Sequence, residues 1–547
     1  MPTSPHVRLI VAPPAAGKTY ACIQQIHTFL SEHPLARIWV IVPDRLQAAA
    51  FRQRLAETGG VLGVTVSPFY DFYRHILEKA GVFLPVTSPP LQHRLVQEAI
   101  NQAARAGKLT YFASIEKQPG FVMALNDAFT ELKRGMVNPD DFQLLVASST
   151  PAHRELALLY SHYQTCLQSL RWVDSEDLSQ LALKVLDAQP GLLSDIKIFV
   201  IDGFDSFTGS HLATLNALSR QEESKLWVTF PGEIGSNRQA HRRFSETIAS
   251  LIEKLSPQIT SLSHQSHLPP DLQQIEKVIF EPFTHMEEAP RQNCLLLEAR
   301  SPTDEAREAL RWLKSLVVRQ GISLSACAIF TPDPLAYHPA LRAAAAEFGM
   351  PVHFTLGDPL SQSPAISAVK NLLTLPAKNF QTRLLMQVLR SPYFDLGFEP
   401  GVIDSYELIS QVAQITEGIE QWVETWDRLL PETSLAEADF DEERILQPLP
   451  RGSNALQLQQ KLQAFFGLLA FPSGSQTRKE WIAWVENLLE KLQFSQRVSS
   501  ERDQTACEIF RETLRALILS ESVVGERQVE YAQFLNDLEG TLESVLL

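Results

Sequence analysis

Gly17-Lys18-Thr19 is the first place in this chain where residue types and spacing could do chemistry. A phosphate-binding loop works because backbone N–H groups and a helix N-terminus converge on phosphates, a Lys reaches the outer phosphates, and a Ser or Thr hydroxyl holds Mg²⁺. Lys18 and Thr19 fill the last two roles. The stretch Ala12, Pro13, Pro14, Ala15, Ala16, Gly17, Lys18 and Thr19 is therefore the candidate nucleotide-binding loop, with ATP as its ligand. The full pattern asks for glycine at the position of Ala12, and the prolines at 13 and 14 remove two donors while stiffening the loop. A vestigial turn is the competing reading.

A hydrolysing site needs more: an acid at the end of a second strand to organise Mg²⁺, and normally a neighbouring carboxylate to activate water. IKIFVIDGF (196–204) supplies the first, Asp202, which with Thr19 makes the candidate metal pair. The next residue is Gly203, so the water-activating carboxylate is missing, and Asp205 stands off the strand end. The pairing predicts bound Mg²⁺–ATP with slow or no turnover. A helix N-cap or turn acid is the plainer role open to Asp202.

These residues need a sheet to position them, and the first 80 residues alternate strand and helix. VRLIVA (7–12), RIWVIVP (37–43) and GVTVS (63–67) read as strands, with helices at 18–33 and 44–58 between them. Near-continuous Val/Ile strands separated by helices predict a parallel sheet covered on both faces. From about 82 to 190 the apolar spacing becomes i, i+3/i+4, which predicts an all-helical insertion. Strands resume at 196–204 and 225–232, and the Pro/His/Ser-rich stretch 256–270 reads as a connection. A second α/β unit follows, with strands CLLLEA (294–299), ACAIFT (326–331) and PVHFT (351–355); helices dominate from about 363 onward. The expected class is α/β: two P-loop-type domains with parallel sheets, each with a helical partner. The expected bounds are 1–81 and 191–290 for the split first domain, 82–190 for the insertion, 291–375 for the start of the second domain and 376–547 for a helical domain.

Composition sets the outer limits. At 547 residues the chain has room for three or four domains, and 45% hydrophobic with 20% charged residues is ordinary for a globular protein. No apolar run approaches the ~20 residues needed to cross a bilayer, and the N-terminus lacks a signal-peptide pattern, so no membrane association and a cytoplasmic location are expected. A net charge of −15 argues against a protein that simply coats nucleic acid, although one basic channel in an acidic protein remains compatible with DNA binding. The five cysteines, Cys22, Cys166, Cys294, Cys327 and Cys507, show no CxxC or CxxH spacing; buried free thiols are expected, with no zinc site and no iron–sulfur cluster. His153, His162, His211, His338 and His353 are scattered, as packing or surface residues would be.

The order of motifs resembles the AddB-type component of bacterial ATP-dependent helicase–nucleases, whose body is a degenerate UvrD-like superfamily-1 helicase. IVPDRLQAAAFRQRLAE (41–57) and VTVSPFYDFYRHIL (64–77) are similar to segments after the family's second and third strands. VIDGFDSFTGSHLATLNAL (200–218) is similar to its degenerate second helicase motif, in which Asp-Gly-Phe replaces Asp-Glu; LGDPLSQSPAI and LLMQVLRSPYF fit later segments. The resemblance covers about 1–395 well and the remainder only as a helical region. Ala at the start of the phosphate loop is normal among UvrD-like helicases, so Ala12 is no defect. Thr331 stands where these helicases place an arginine, which removes a γ-phosphate contact.

The resemblance implies a subunit that binds ATP weakly, contacts single-stranded or duplex-end DNA and pairs with an AddA-like helicase–nuclease partner in double-strand-break repair. The loops after the second and third strands would meet DNA through Arg45, Gln47, Phe69, Tyr70, Tyr73 and Arg74, with aromatic rings stacking on bases beside Arg on phosphates. Helix core is the alternative for Phe69 and Phe72. The family's nuclease domain, with its carboxylates, Lys and four cysteines, has no counterpart in these residues, so nuclease activity is not expected and the end at Leu547 suggests a fragment or truncated product. Two other functions remain open: a stand-alone superfamily-1 ATPase, disfavoured by Gly203, and a structural interaction module with a vestigial nucleotide site.

Overall fold

The Val/Ile runs of the first 80 residues and of 196–231 form one six-stranded sheet, parallel at every pairing. Its elements are β1 (Ser4–Ala12), α1 (Lys18–Glu32), β2 (Arg37–Ile41), α2 (Arg45–Glu57), β3 (Val64–Ser67), α3 (Phe69–Lys79), β4 (Ile196–Ile201), β5 (Lys225–Pro231) and β6 (Pro257–Ser261). The computed structural model describes residues 4–221, 223–262, 268–282, 293–431 and 449–547. The strand order is β3-β2-β4-β5-β1-β6.

Successive residues of a strand point to opposite faces, so each apolar strand feeds two cores. Val7, Leu9 and Val11 of β1, Trp39 and Ile41 of β2, and Phe199 and Ile201 of β4 join one core with Phe72 and Ile76 of α3. Ile10, Ile38, Val40, Ile198 and Val200 join the other, with Ile23 and Ile26 of α1 and Phe51 and Leu55 of α2. Each such side chain contributes roughly 1.5–3 kcal/mol relative to exposure. Chain connectivity then places the loops: β1 lies between β5 and β6, while the chain leaving it crosses to β2 beyond β5 and β4. In open α/β sheets, ligands bind at the carboxyl ends of strands where successive connections part in this way.

Residues 257–261, read as part of a connection, form the edge strand β6. Its sequence PQITS shows no apolar run because an edge strand with exposed residues needs none. The middle of that connection (263–267) and the expected boundary near 290 fall outside the described residues.

The α/β class holds, but the second sheet takes a different form. Residues 294–299, 327–331 and 351–354 run without strand pairing among the described residues. Beside them the helices Pro302–Gln320 and Pro334–Phe348 pack through Ala306, Leu310, Leu341 and Ala344. Apolar composition reports a capacity for burial, whereas a strand also needs a partner backbone; Leu296 and Phe330 are accordingly left 94% and 93% exposed.

The described residues divide into two units: Met1–Val86, Ala128–Leu144 and Arg171–Thr355 in one, and Thr87–Asp127, Leu145–Leu170 and Leu356–Leu547 in the other. The stretch expected to be an all-helical insertion is helical, at Pro89–Arg105, Pro119–Arg134, Pro139–Val146, Pro151–Leu170 and Asp177–Ala188. The second unit is built of helices around a core that includes Trp422, Trp426, Trp481 and Tyr406, with one short antiparallel pair at Gln476–Thr477 and Gln528–Val529. Of the cysteines, Cys22, Cys166 and Cys507 are buried as expected, whereas Cys294 is exposed. No described helix is long and apolar enough to cross a membrane.

Candidate nucleotide site

β1 ends at Ala12, and the chain turns through Pro13 to Gly17 before α1 begins at Lys18. Ala15 and Gly17 both take positive φ, 60° and 82°, and Gly17 is the N-cap of α1 without any side-chain cap. The first amides of α1 thus meet no capping side chain, the arrangement in which a helix N-terminus receives an anion. Lys18 folds back across the loop and its Nζ donates to the carbonyls of Ala12 and Pro13, both at 2.9 Å. Burial holds its ammonium below the ordinary lysine range, partly opposed by the charge of Asp202. These carbonyl contacts are exchangeable: the same Nζ is free to turn to phosphate oxygens.

The acid comes from across the sheet. Asp202 follows β4 and is 4% exposed; Thr19 Oγ1 donates to its Oδ2 at 2.8 Å, and Thr229 Oγ1 on β5 donates to its Oδ1 at 2.6 Å. The neighbouring strands therefore set the orientation of this carboxylate. Thr19 and Asp202, the pair singled out for metal, are in direct contact and are hard oxygen donors of the type Mg²⁺ takes. An open cavity of about 590 Å³ adjoins them, lined by Gly17, Lys18, Thr19, Tyr20, Arg54 and Glu57 among others. A Lys, a hydroxyl, a carboxylate and uncapped amides at one mouth suit a nucleoside phosphate with Mg²⁺. Among the described residues no group of three or more His, Cys, Asp or Glu side chains is placed to hold a metal by itself.

The residues expected at DNA separate into two sets. Arg45, at the start of α2, is exposed, and Gln47 is exposed with its amide lying over Gly203. Tyr70 is half-buried and Arg74 is exposed, paired with Glu78 at 3.0 Å. Phe69 and Tyr73 are each 5% exposed, which corrects the expectation that their faces are open to bases in this conformation. Phe69 stacks on His211 with ring centroids 4.2 Å apart and lies edge-on to Phe204; the Tyr73 hydroxyl bonds Thr214 Oγ1 at 3.1 Å. Positions 69, 72, 73 and 76 make the apolar stripe of an amphipathic helix, and the core takes that stripe.

Sequence reasoning missed Thr229 and the contact of Gln47 with Gly203. A polar residue inside the apolar run LWVTF was the available signal for Thr229; nothing local marks the second contact.

The model of the AddB N-terminal family matches residues 9–278, which span the loop, the sheet and Asp202. The chain carries an AddB N-terminal domain. Beyond it the likeness extends further: the chain is 22% identical over 447 residues to the AddB-type ATP-dependent helicase/deoxyribonuclease chain of Caldanaerobacter subterraneus, covering 77% of this chain and 37% of that protein. The protein of the same name from Oceanobacillus iheyensis is 24% identical over 446 residues (74% and 36%), and that of Exiguobacterium sibiricum 22% over 450 (78% and 38%). The AddB-like chain thus spans less than two-fifths of the length of these relatives.

Proposed function

We propose that this chain serves as the nucleotide-holding, DNA-contacting part of a subunit in an ATP-dependent helicase–nuclease complex that processes double-strand breaks for recombinational repair. The observation that carries the nucleotide reading is the contact of Thr19 with Asp202 beside Lys18 at the open end of the sheet. Lys18 binds the outer phosphates, the amides of residues 15–19 cradle them, and Thr19 and Asp202 hold Mg²⁺, which when bound neutralises phosphate charge. Gly203 contributes no side chain beside Asp202, so no carboxylate there takes a proton from water, and turnover is slow or absent. DNA contact falls to Arg45, Tyr70 and Arg74, the exposed or half-buried members of the loops after β2 and β3. An AddA-like helicase–nuclease chain is the proposed protein partner, supported by the printed names of the relatives, each a subunit of a helicase/deoxyribonuclease.

Fluorescence anisotropy with a labelled single-stranded oligonucleotide over a salt series tests the DNA part. Salt-sensitive binding, weakened by Arg45→Ala and Arg74→Ala, is expected because phosphate contacts release counterions. Absence of binding, with and without the partner protein, overturns it.

A further inference from the structure

β2 and β4 are neighbours, and the Asp202 N–H donates to Ile41 O at 3.0 Å, so the loops leaving these strands start side by side. Gly203, next after Asp202, takes φ +84°, a left-handed conformation that side chains rarely adopt. A Cβ at this position would run into Gln47 Oε1, with Pro43 Cδ at 3.4 Å. The amide of Gln47 therefore fills the space in which a carboxylate side chain at 203 would begin. Its backbone is anchored, since the Gln47 N–H donates to Asp44 Oδ1, the N-cap of α2, at 2.8 Å, while the side chain is exposed. Thr19, Asp202 and Gln47 thus form a continuous polar row along the carboxyl end of the sheet, and the last of them comes from a different loop.

We propose that Gln47 is the water-orienting residue of this nucleotide site, standing in for the absent carboxylate. The inference rests on the nucleotide-holding reading and deepens it. An amide accepts from and donates to a water molecule but takes no proton from it, whereas a carboxylate does both jobs. Glutamine orients the attacking water in this way in small GTPases. In the cleavage step the water oxygen bonds to the terminal phosphorus and the bond from that phosphorus to the bridging oxygen breaks. The electron pair leaves on the diphosphate, and the water's proton passes to a terminal phosphate oxygen. Gln47 holds the water through Oε1 and, through that water, bears on the terminal phosphate. The protein supplies no proton acceptor, which keeps the step slow.

The test uses the whole chain with Gln47→Ala and Gln47→Glu. Both variants keep the Asp44 cap, because the cap receives the backbone N–H. Titration calorimetry gives Kd for Mg²⁺–ATP and Mg²⁺–ADP, and single-turnover assays give the cleavage rate. Loss of one hydrogen bond predicts that Gln47→Ala weakens ATP roughly fivefold and leaves ADP unchanged. Gln47→Glu, which adds a proton acceptor, is predicted to speed cleavage by about tenfold or more, with a rate that rises as the new carboxylate ionises. An unchanged ATP/ADP ratio in Gln47→Ala, or no faster cleavage in Gln47→Glu, overturns the assignment. If the unsubstituted chain binds neither nucleotide, the nucleotide reading itself falls and this inference with it; binding of both with indifferent variants removes only the role of Gln47.

Discussion

Asp202 and Arg478 are buried to nearly the same extent, 4% and 2% exposed, yet their surroundings differ in kind. Asp202 sits at the mouth of an open cavity, and its neighbour Lys18 rests on backbone carbonyls that a ligand can displace. Arg478, inside the helical unit, donates from Nε to Asp537 Oδ2 at 3.1 Å and contacts Glu521 Oε1 at 3.5 Å, each carboxylate itself buried. In the same unit Arg527 pairs with the buried Glu98 at 2.8 Å, and burial pushes Arg94 down to about 10. Burial of charge alone therefore does not mark a functional site. Exchangeable partners beside open space do.

The largest expected effect breaks the enclosed side of this comparison. Arg478→Ala strands Asp537 and Glu521 without their cation and should cost about 3–5 kcal/mol in urea unfolding, while nucleotide affinity per folded molecule stays unchanged. A loss of stability under about 1 kcal/mol would show that this network is not structural in the sense argued.

Next comes pH. Burial holds His211 neutral, with its pKa lowered to about 4, and His93 in the helical unit is lowered for the same reason. A base whose folded pKa lies below its unfolded value near 6.5 gives stability that is complete above that pH and lost as pH falls toward 4. For His211 the loss amounts to about 3 kcal/mol. Denaturation at pH 7.5, 6 and 5 should show His211→Gln with a shallower slope than the parent, and a residual slope from His93. Identical slopes contradict the packing of His211 against Phe69.

Lys18→Ala addresses the open side. Removing a charge-assisted contact predicts roughly 10- to 100-fold weaker Mg²⁺–ATP binding, with apo stability within about 1 kcal/mol because a desolvated ammonium is also removed. Smallest is Gly203→Ala, expected to cost about 1–2 kcal/mol for forcing a side chain into left-handed backbone; Gln47 can swing aside, so the backbone sets the loss.

What was legible in the sequence follows the same division. β1, β2 and β4 were readable because sheet centres demand Val/Ile on both faces, and GKT was readable because its three residues act in one turn. β6 was not, since an edge strand tolerates Gln, Thr and Ser. The stretches 294–299 and 327–331 looked like strands because apolar alternation cannot report whether a partner backbone lies alongside. Phe69 and Tyr73 looked open to DNA for a related reason: an aromatic on an amphipathic stripe reads alike whether a base or a core covers it. The contact of Gln47 with Gly203 joins two loops brought together only by the β2–β4 pairing, and no local pattern encodes it.

The central claim, that this site holds nucleotide and seldom cleaves it, is tested most directly by the fate of bound ATP. The chain is incubated with Mg²⁺ and radiolabelled ATP, separated from free nucleotide by rapid gel filtration, and the retained label is resolved by chromatography. Retained label recovered as triphosphate, and lost in Lys18→Ala, is the predicted result. No retained nucleotide, or label recovered as diphosphate at the earliest time point, contradicts the account.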